Sequence, residues 1–71
     1  MITQIGIVAG EIWSLLEEYG DMFLTELMER IKEQNLEIKK EVVLMSLGWL
    51  AREGHLIVRD DNGGYTICLK D

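Results

Sequence analysis

Few side chains in this sequence have the chemistry of a nucleophile, an acid–base catalyst or a metal ligand. Cys68 and His55 are the only cysteine and the only histidine among the 71 residues. A structural zinc site takes four Cys or His ligands, and a single cysteine cannot form a disulfide within the chain. Neither a Ser/His/Asp set nor a glycine-rich phosphate loop can be recognised. The sequence therefore predicts a protein that is not an enzyme, with no metal or cofactor and no evident small-molecule substrate.

A second kind of chemistry, the binding of a nucleic acid, has four candidate residues. Lys39 and Lys40 stand at the start of a predicted helix. Ser46 lies farther along that helix, and Arg59 falls in a predicted β-hairpin. Basic side chains can neutralise phosphates, but the chain has 13 acidic against 7 basic residues, and its net charge of −6 repels DNA. A nucleic acid is therefore a disfavoured partner, although a local basic patch can still dock on it.

A helix predicted over residues 39–53 carries apolar residues around most of its circumference. Each residue advances about 100° around the helix axis, which separates two apolar sides. The side predicted to lie in the core consists of Val43, Leu47 and Leu50. A second stripe, well round towards the far side, is formed by Val42, Met45 and Trp49, with Arg52 beside it. These last four residues are the candidates for a protein interface.

Two explanations of the second stripe stay open, because a helix that is apolar all round is normally buried. The hairpin and the N-terminal MITQI segment could fold over the stripe within the chain. Alternatively, the stripe contacts a second protein, most simply another copy across a two-fold axis. The first helix is a further candidate interface, since Gly6 and Gly10 would let a bulky side chain such as Trp13 or Trp49 approach, within the domain or between copies.

The predicted elements are bounded by capping and turn residues. Helices are predicted over residues 3–20, 25–35 and 39–53, with a short strand in the MFL segment. The residues expected to cap or stop them are Thr3 and Thr25 at the starts and Gly20, Asn35 and Gly54 at the ends. A hairpin is predicted over residues 56–69, because Asn62 and Gly63 both tolerate the positive φ of a type I′ turn.

This order of elements predicts an α+β fold, a winged helix-turn-helix with three helices, a C-terminal β-hairpin wing and a short third strand. At this length, residues 1–71 are expected to form one domain. The N-terminus lacks the basic residues of a signal peptide, and no apolar run reaches membrane-spanning length. A cytoplasmic protein without membrane contact is therefore expected.

Three segments of the sequence resemble a known family. IGIVAGEIW, LTELMERI and LGWLAREG are similar to small, stand-alone winged helix-turn-helix proteins of bacteria and archaea, and the resemblance spans nearly the whole chain. It implies the fold but no particular function, because fold does not determine function. Members of the family commonly have serine, a good N-cap, just before the third helix, where this chain has Lys39. A weaker helix start is therefore expected here.

Two hypotheses of function follow. The first is a protein-interaction module, preferably a homodimer, that uses the apolar face of the third helix, the first helix or both. The second is a nucleic-acid-binding transcriptional regulator that docks the third helix and the wing on DNA. The excess of acidic residues and the second apolar stripe favour the first hypothesis.

Overall fold

The structure is a computed structural model that describes residues 2–34 and 37–70. Its elements follow the predicted order of helix, short strand, two helices and two strands. They are α1 (Ile2–Tyr19), β1 (Met22–Phe23), α2 (Leu24–Gln34), α3 (Lys40–Arg52), β2 (Leu56–Asp61) and β3 (Gly64–Leu69). The predicted α+β winged helix-turn-helix is confirmed.

The helix boundaries differ from the predicted ones by about one residue at each end. β1 runs directly into α2, which begins at Leu24, so the prediction of Thr25 as the N-cap is wrong. α3 lies one residue inside its predicted range at both ends. α1 begins at Ile2, so Thr3 lies inside the helix and its prediction as the N-cap is wrong as well. The predicted stop at Asn35 lies outside the described residues. The predicted hairpin bounds, residues 56–69, are confirmed.

The three strands form an antiparallel sheet in the order β1-β3-β2. Ile67 of the central strand β3 lies opposite Met22 of β1 on one side and opposite Val58 of β2 on the other. Residues that lie opposite one another point to the same face of a sheet. This register brings the buried Met22 and Ile67 together on the face that packs against the helices.

The wing turns at Asn62 and Gly63, where the backbone is left-handed. The φ angle is 44° at Asn62 and 86° at Gly63. Both central residues of a type I′ turn need a positive φ, and glycine adopts it without a steric penalty. Because the twist of this turn matches that of the strands, it sets the register of the whole wing.

Replacing Gly63 by alanine is expected to lower the free energy of unfolding by about 1–2 kcal/mol, because a Cβ is strained at this φ. The matched control is Gly10→Ala in the middle of α1, where an added Cβ meets no atom within 4 Å. Alanine favours a helix over glycine by about 1 kcal/mol, so the control should be more stable than wild type. Urea denaturation of both variants checks the opposite signs; a stabilising Gly63→Ala would contradict the left-handed turn.

One hydrophobic core joins the three helices to the inner face of the sheet. Its most deeply buried large side chains are Ile12, Leu27, Ile31 and Ile67. The predicted core side of α3 is confirmed, since Val43, Leu47 and Leu50 are all buried. α3 thus packs against the core through one side, and its opposite side faces solvent.

Candidate interaction surface

α3 starts without a side-chain cap, as the departure from serine at this position indicated. Lys39 occupies the N-cap position with an extended backbone and makes no capping hydrogen bond through its side chain. Its carbonyl oxygen accepts hydrogen bonds from the amides of Val42, at 3.0 Å, and Val43, at 3.3 Å. Lys39 and Lys40 are both exposed, so both lysines are accessible at the surface.

Ser46 of α3 lies where this helix packs against the beginning of α1. It is 0% exposed. Its hydroxyl donates to the carbonyl oxygen of Val42 at 2.7 Å and also lies 3.3 Å from that of Ile5, so the two acceptors share one hydrogen. The prediction that Ser46 contacts a nucleic acid is therefore wrong, because the backbone of α1 covers this position.

Val42 lies on the same covered side of α3, one turn before Ser46. Its side chain is 3% exposed and belongs to the hydrophobic core. The prediction of Val42 as a protein-interface residue is wrong for the same reason. α1 packs along α3 and covers the part of the circumference where both residues lie.

The remainder of the second stripe faces solvent. Met45 is 43% exposed, Trp49 is 48% exposed, and Leu44 on the other flank is 41% exposed. Arg52 is exposed as well. The explanation that the stripe is covered within the chain therefore holds for Val42. It does not hold for Met45 and Trp49. The described residues leave an apolar patch on the outer side of α3.

The centre of this outer side is a line of four exposed residues that we call the α3 seam. It consists of Glu41, Met45, Gly48 and Arg52. Within the described part of the chain, a Cβ built on Gly48 would meet no atom within 4 Å, so the middle of the seam is open. Leu44 and Trp49 flank the seam on its two sides. Glu41, Leu44 and Gly48 were not among the residues predicted from the sequence to lie in an interface. Glu41 and Gly48 stand four before and three after Met45, and Leu44 stands three after Glu41, so helical spacing was the available signal.

The two glycines of α1 do not accommodate a bulky neighbour within the domain. A Cβ placed on Gly6 or Gly10 would meet no atom of the described residues within 4 Å. The prediction that Trp13 or Trp49 approaches them closely inside the chain is therefore wrong. Both glycines and Trp13 lie on the exposed part of α1, and the alternative of contact between copies stays a prediction.

The wing residue Arg59 lies in acidic surroundings. It is exposed and lies opposite Thr66 in the sheet. It lines an open groove between the wing and the start of α2, together with Asp21 and Glu26. These carboxylates reduce the attraction that a single guanidinium would exert on a phosphate.

The single histidine and the single cysteine of the sequence lie outside α3. His55 is exposed just after the helix, and Cys68 is half-buried in β3 opposite Ile57. Among residues 2–34 and 37–70, no group of three or more His, Cys, Asp or Glu residues is placed to hold a metal ion. In the same residues, no helix combines the length and the apolar character needed to span a membrane.

Comparison with known proteins agrees with this architecture. A family model described as a winged helix-turn-helix domain (DUF2582) matches residues 1–69. A protein of Methanocaldococcus jannaschii, named only as uncharacterised, is 34% identical over 70 residues, which span 99% of this chain and 96% of the relative. No solved structure matches the chain significantly. The chain belongs to the DUF2582 family of winged helix-turn-helix domains.

Proposed function

We propose that this protein is a protein-interaction module that forms a homodimer through the outer side of α3. The observation that carries the proposal is the exposure of Leu44, Met45 and Trp49 on one helix. An exposed group of large apolar side chains is typical of a protein–protein contact rather than of a surface that stays in water. Burying these three side chains removes apolar area from water, which is the main driving force of association.

A homodimer also suits the size of the domain. A chain of 71 residues buries only about 60% of its unfolded surface and has a small core. Any partner that binds the folded chain alone adds stability through mass action. A second copy is always present at the same concentration, so it provides this stabilisation without another gene product.

The charges of the two candidate helices favour α3 over α1 as the interface. α1 contains three glutamates and no lysine or arginine, so two copies of it would bring acidic groups together. α3 contains Glu41 together with Lys40 and Arg52. Only α3 therefore carries charges of both signs, which one copy can present to another with opposite signs in contact.

The test of this proposal is the molecular mass in solution as a function of concentration. Sedimentation equilibrium from micromolar to millimolar protein is expected to give a mass that rises from the 8.2 kDa of one chain towards twice that value. A mass that stays at one chain throughout this range would contradict the homodimer.

The rival function, binding of DNA, is supported by the fold and by the exposed Lys39 and Lys40. In helix-turn-helix proteins the outer side of the third helix enters the major groove and hydrogen-bonds to base edges. Here the large side chains on that side are Leu44, Met45 and Trp49, which have few groups that can form such bonds. Its charged side chains are Arg52, in the last turn of the helix, and Glu41, which repels phosphate. The burial of Ser46 removes a further polar candidate.

We therefore expect no specific binding to DNA. A labelled duplex of mixed sequence, titrated with protein at low salt, should show no saturable change in fluorescence anisotropy, although low salt favours phosphate contacts most. The double variant Lys39→Ala with Lys40→Ala should behave identically. Saturable binding that the double variant weakens, with a smaller dependence on salt, would instead favour the transcriptional regulator.

A further inference from the structure

We infer that the two copies pack α3 against α3 in antiparallel orientation, with a two-fold axis midway between residues 46 and 47. In this arrangement Glu41 faces the partner's Arg52, and Met45 faces the partner's Gly48. The inference rests on the proposed function, because it specifies how the homodimer is built. It is argued from the spacing, the size and the charge of the α3 seam.

The spacing of the seam suits an antiparallel pair of helices. Its members, Glu41, Met45, Gly48 and Arg52, are separated by four, three and four residues. At about 100° per residue they fall within roughly 60° of one another on the helix circumference, which gives the narrow stripe of a coiled-coil contact. The pattern four-three-four is the same in both directions. An antiparallel copy therefore aligns the whole seam in one register.

The sizes of the central residues are complementary in this register. Met45 is large, flexible and 43% exposed. Gly48 has no side chain, and the space above it is open in the single chain. Packing one against the other at two symmetric positions fills both openings, and methionine adapts well to an irregular gap. The flanking Leu44 and Trp49 would close the contact on either side.

The charges at the ends of the seam are complementary as well. Glu41 and Arg52 are exposed, and among the described residues neither has an ion-pair partner. The antiparallel register pairs each with its opposite in the partner, at both ends of the contact. A parallel register would instead place glutamate against glutamate and arginine against arginine, with methionine against methionine and glycine against glycine. Like charges directly opposed are unfavourable, so the antiparallel register is selected.

The inference is tested by reversing one charge at a time and then mixing the variants. Glu41→Arg places arginine against arginine at both ends of the dimer, and Arg52→Glu places glutamate against glutamate. Each variant alone should dimerise about tenfold more weakly, or worse, by sedimentation equilibrium. An equimolar mixture should form a heterodimer close to wild-type affinity, because both of its contacts then join opposite charges.

Two substitutions on the exposed surface of α2 are the matched controls. Glu33→Arg and Lys32→Glu change the net charge by the same amounts as the seam variants, but they lie off the α3 seam. Lys32 lines a groove with Lys40 and Val43, neither of which belongs to the seam. They should leave the dimer affinity within about twofold of wild type. These controls separate a local contact from the general repulsion between two acidic chains.

The outcomes distinguish this inference from the proposed function. Weaker homodimers that recover as a heterodimer support the antiparallel seam. A wild-type dimer whose affinity neither seam variant changes overturns the seam and leaves the homodimer standing. A wild-type chain that stays monomeric at millimolar concentration overturns both. Far-UV circular dichroism of each variant verifies that the helices are intact, as the exposure of both residues leads us to expect.

Discussion

Met45→Glu should raise the dissociation constant of the homodimer by at least about 100-fold, which corresponds to roughly 3 kcal/mol. The substitution places a carboxylate in the middle of the proposed contact, where it has no basic partner and would lose its water on association. Because the proposed dimer is two-fold symmetric, this cost of dehydrating a carboxylate occurs at two positions. Sedimentation equilibrium at millimolar protein should therefore find only the single chain.

The fold should tolerate the same substitution. Met45 is 43% exposed in the single chain, so a carboxylate there remains hydrated. At micromolar concentration, where we expect the wild type to be dissociated too, the melting temperature of the variant should differ from that of wild type by no more than a few degrees. The matched control is Ile7→Glu, which introduces the same charge at a 58% exposed position on α1. A control that abolishes the dimer while Met45→Glu does not would move the interface to α1.

Ile12→Ala is the second substitution with a large expected effect, and it acts on stability. Ile12 is fully buried where α1 meets the rest of the core. Removing a buried aliphatic side chain of this size usually costs about 2–5 kcal/mol, through lost burial and the cavity left behind. At about 0.05–0.15 kcal/mol per residue, that loss is a large fraction of the stability of this domain. We expect a variant that is partly unfolded at room temperature.

Ile7→Ala is the matched control for this effect, since it makes the same change on the same helix at an exposed position. It should change the free energy of unfolding by no more than about 0.5 kcal/mol. Both substitutions are best measured by urea denaturation in the Met45→Glu background, because dimerisation would otherwise add stability that depends on concentration. Equal losses for the two variants would contradict the placement of α1 in the core.

The order and the approximate bounds of the elements could be predicted because local signals determine them. The Asn62-Gly63 pair fixes the wing turn through backbone geometry that few other residue pairs allow. Gly20 ends α1 in the left-handed conformation for a similar local reason. The core side of α3 followed from helical periodicity, which needs no knowledge of what the helix packs against.

The exposure of the residues that we propose for the interface could be predicted only in part, because exposure depends on how helices cross. Met45 and Trp49 remain on the surface, as an interface requires, whereas Val42 and Ser46 are covered by α1. The position of α1 along α3 is a tertiary feature, and periodicity within α3 does not reveal it. The small size of Ser46 was a signal that a neighbouring backbone could approach there. Its polarity led to the opposite interpretation.

The helix that reads DNA in many winged helix proteins thus has a different surface in this protein. The outer side of α3 is exposed, with Leu44 and Trp49 at its flanks and Glu41 and Arg52 at the two ends of the seam. The same scaffold can therefore serve a protein partner once the residues on this one helix side have changed. We expect that Lys39 and Lys40 at the helix start do not by themselves attract a nucleic acid against the overall negative charge.

The most direct test of the account is a dilution series of isotopically labelled protein, in which the backbone amide shifts are followed by NMR. The proposed homodimer predicts concentration-dependent shifts centred on residues 41–52, with the largest changes near Met45, Gly48 and Trp49, and little change on α2. Shifts that do not depend on concentration, or that are confined to α1 or the wing, would contradict the assignment of the outer side of α3 as the interface.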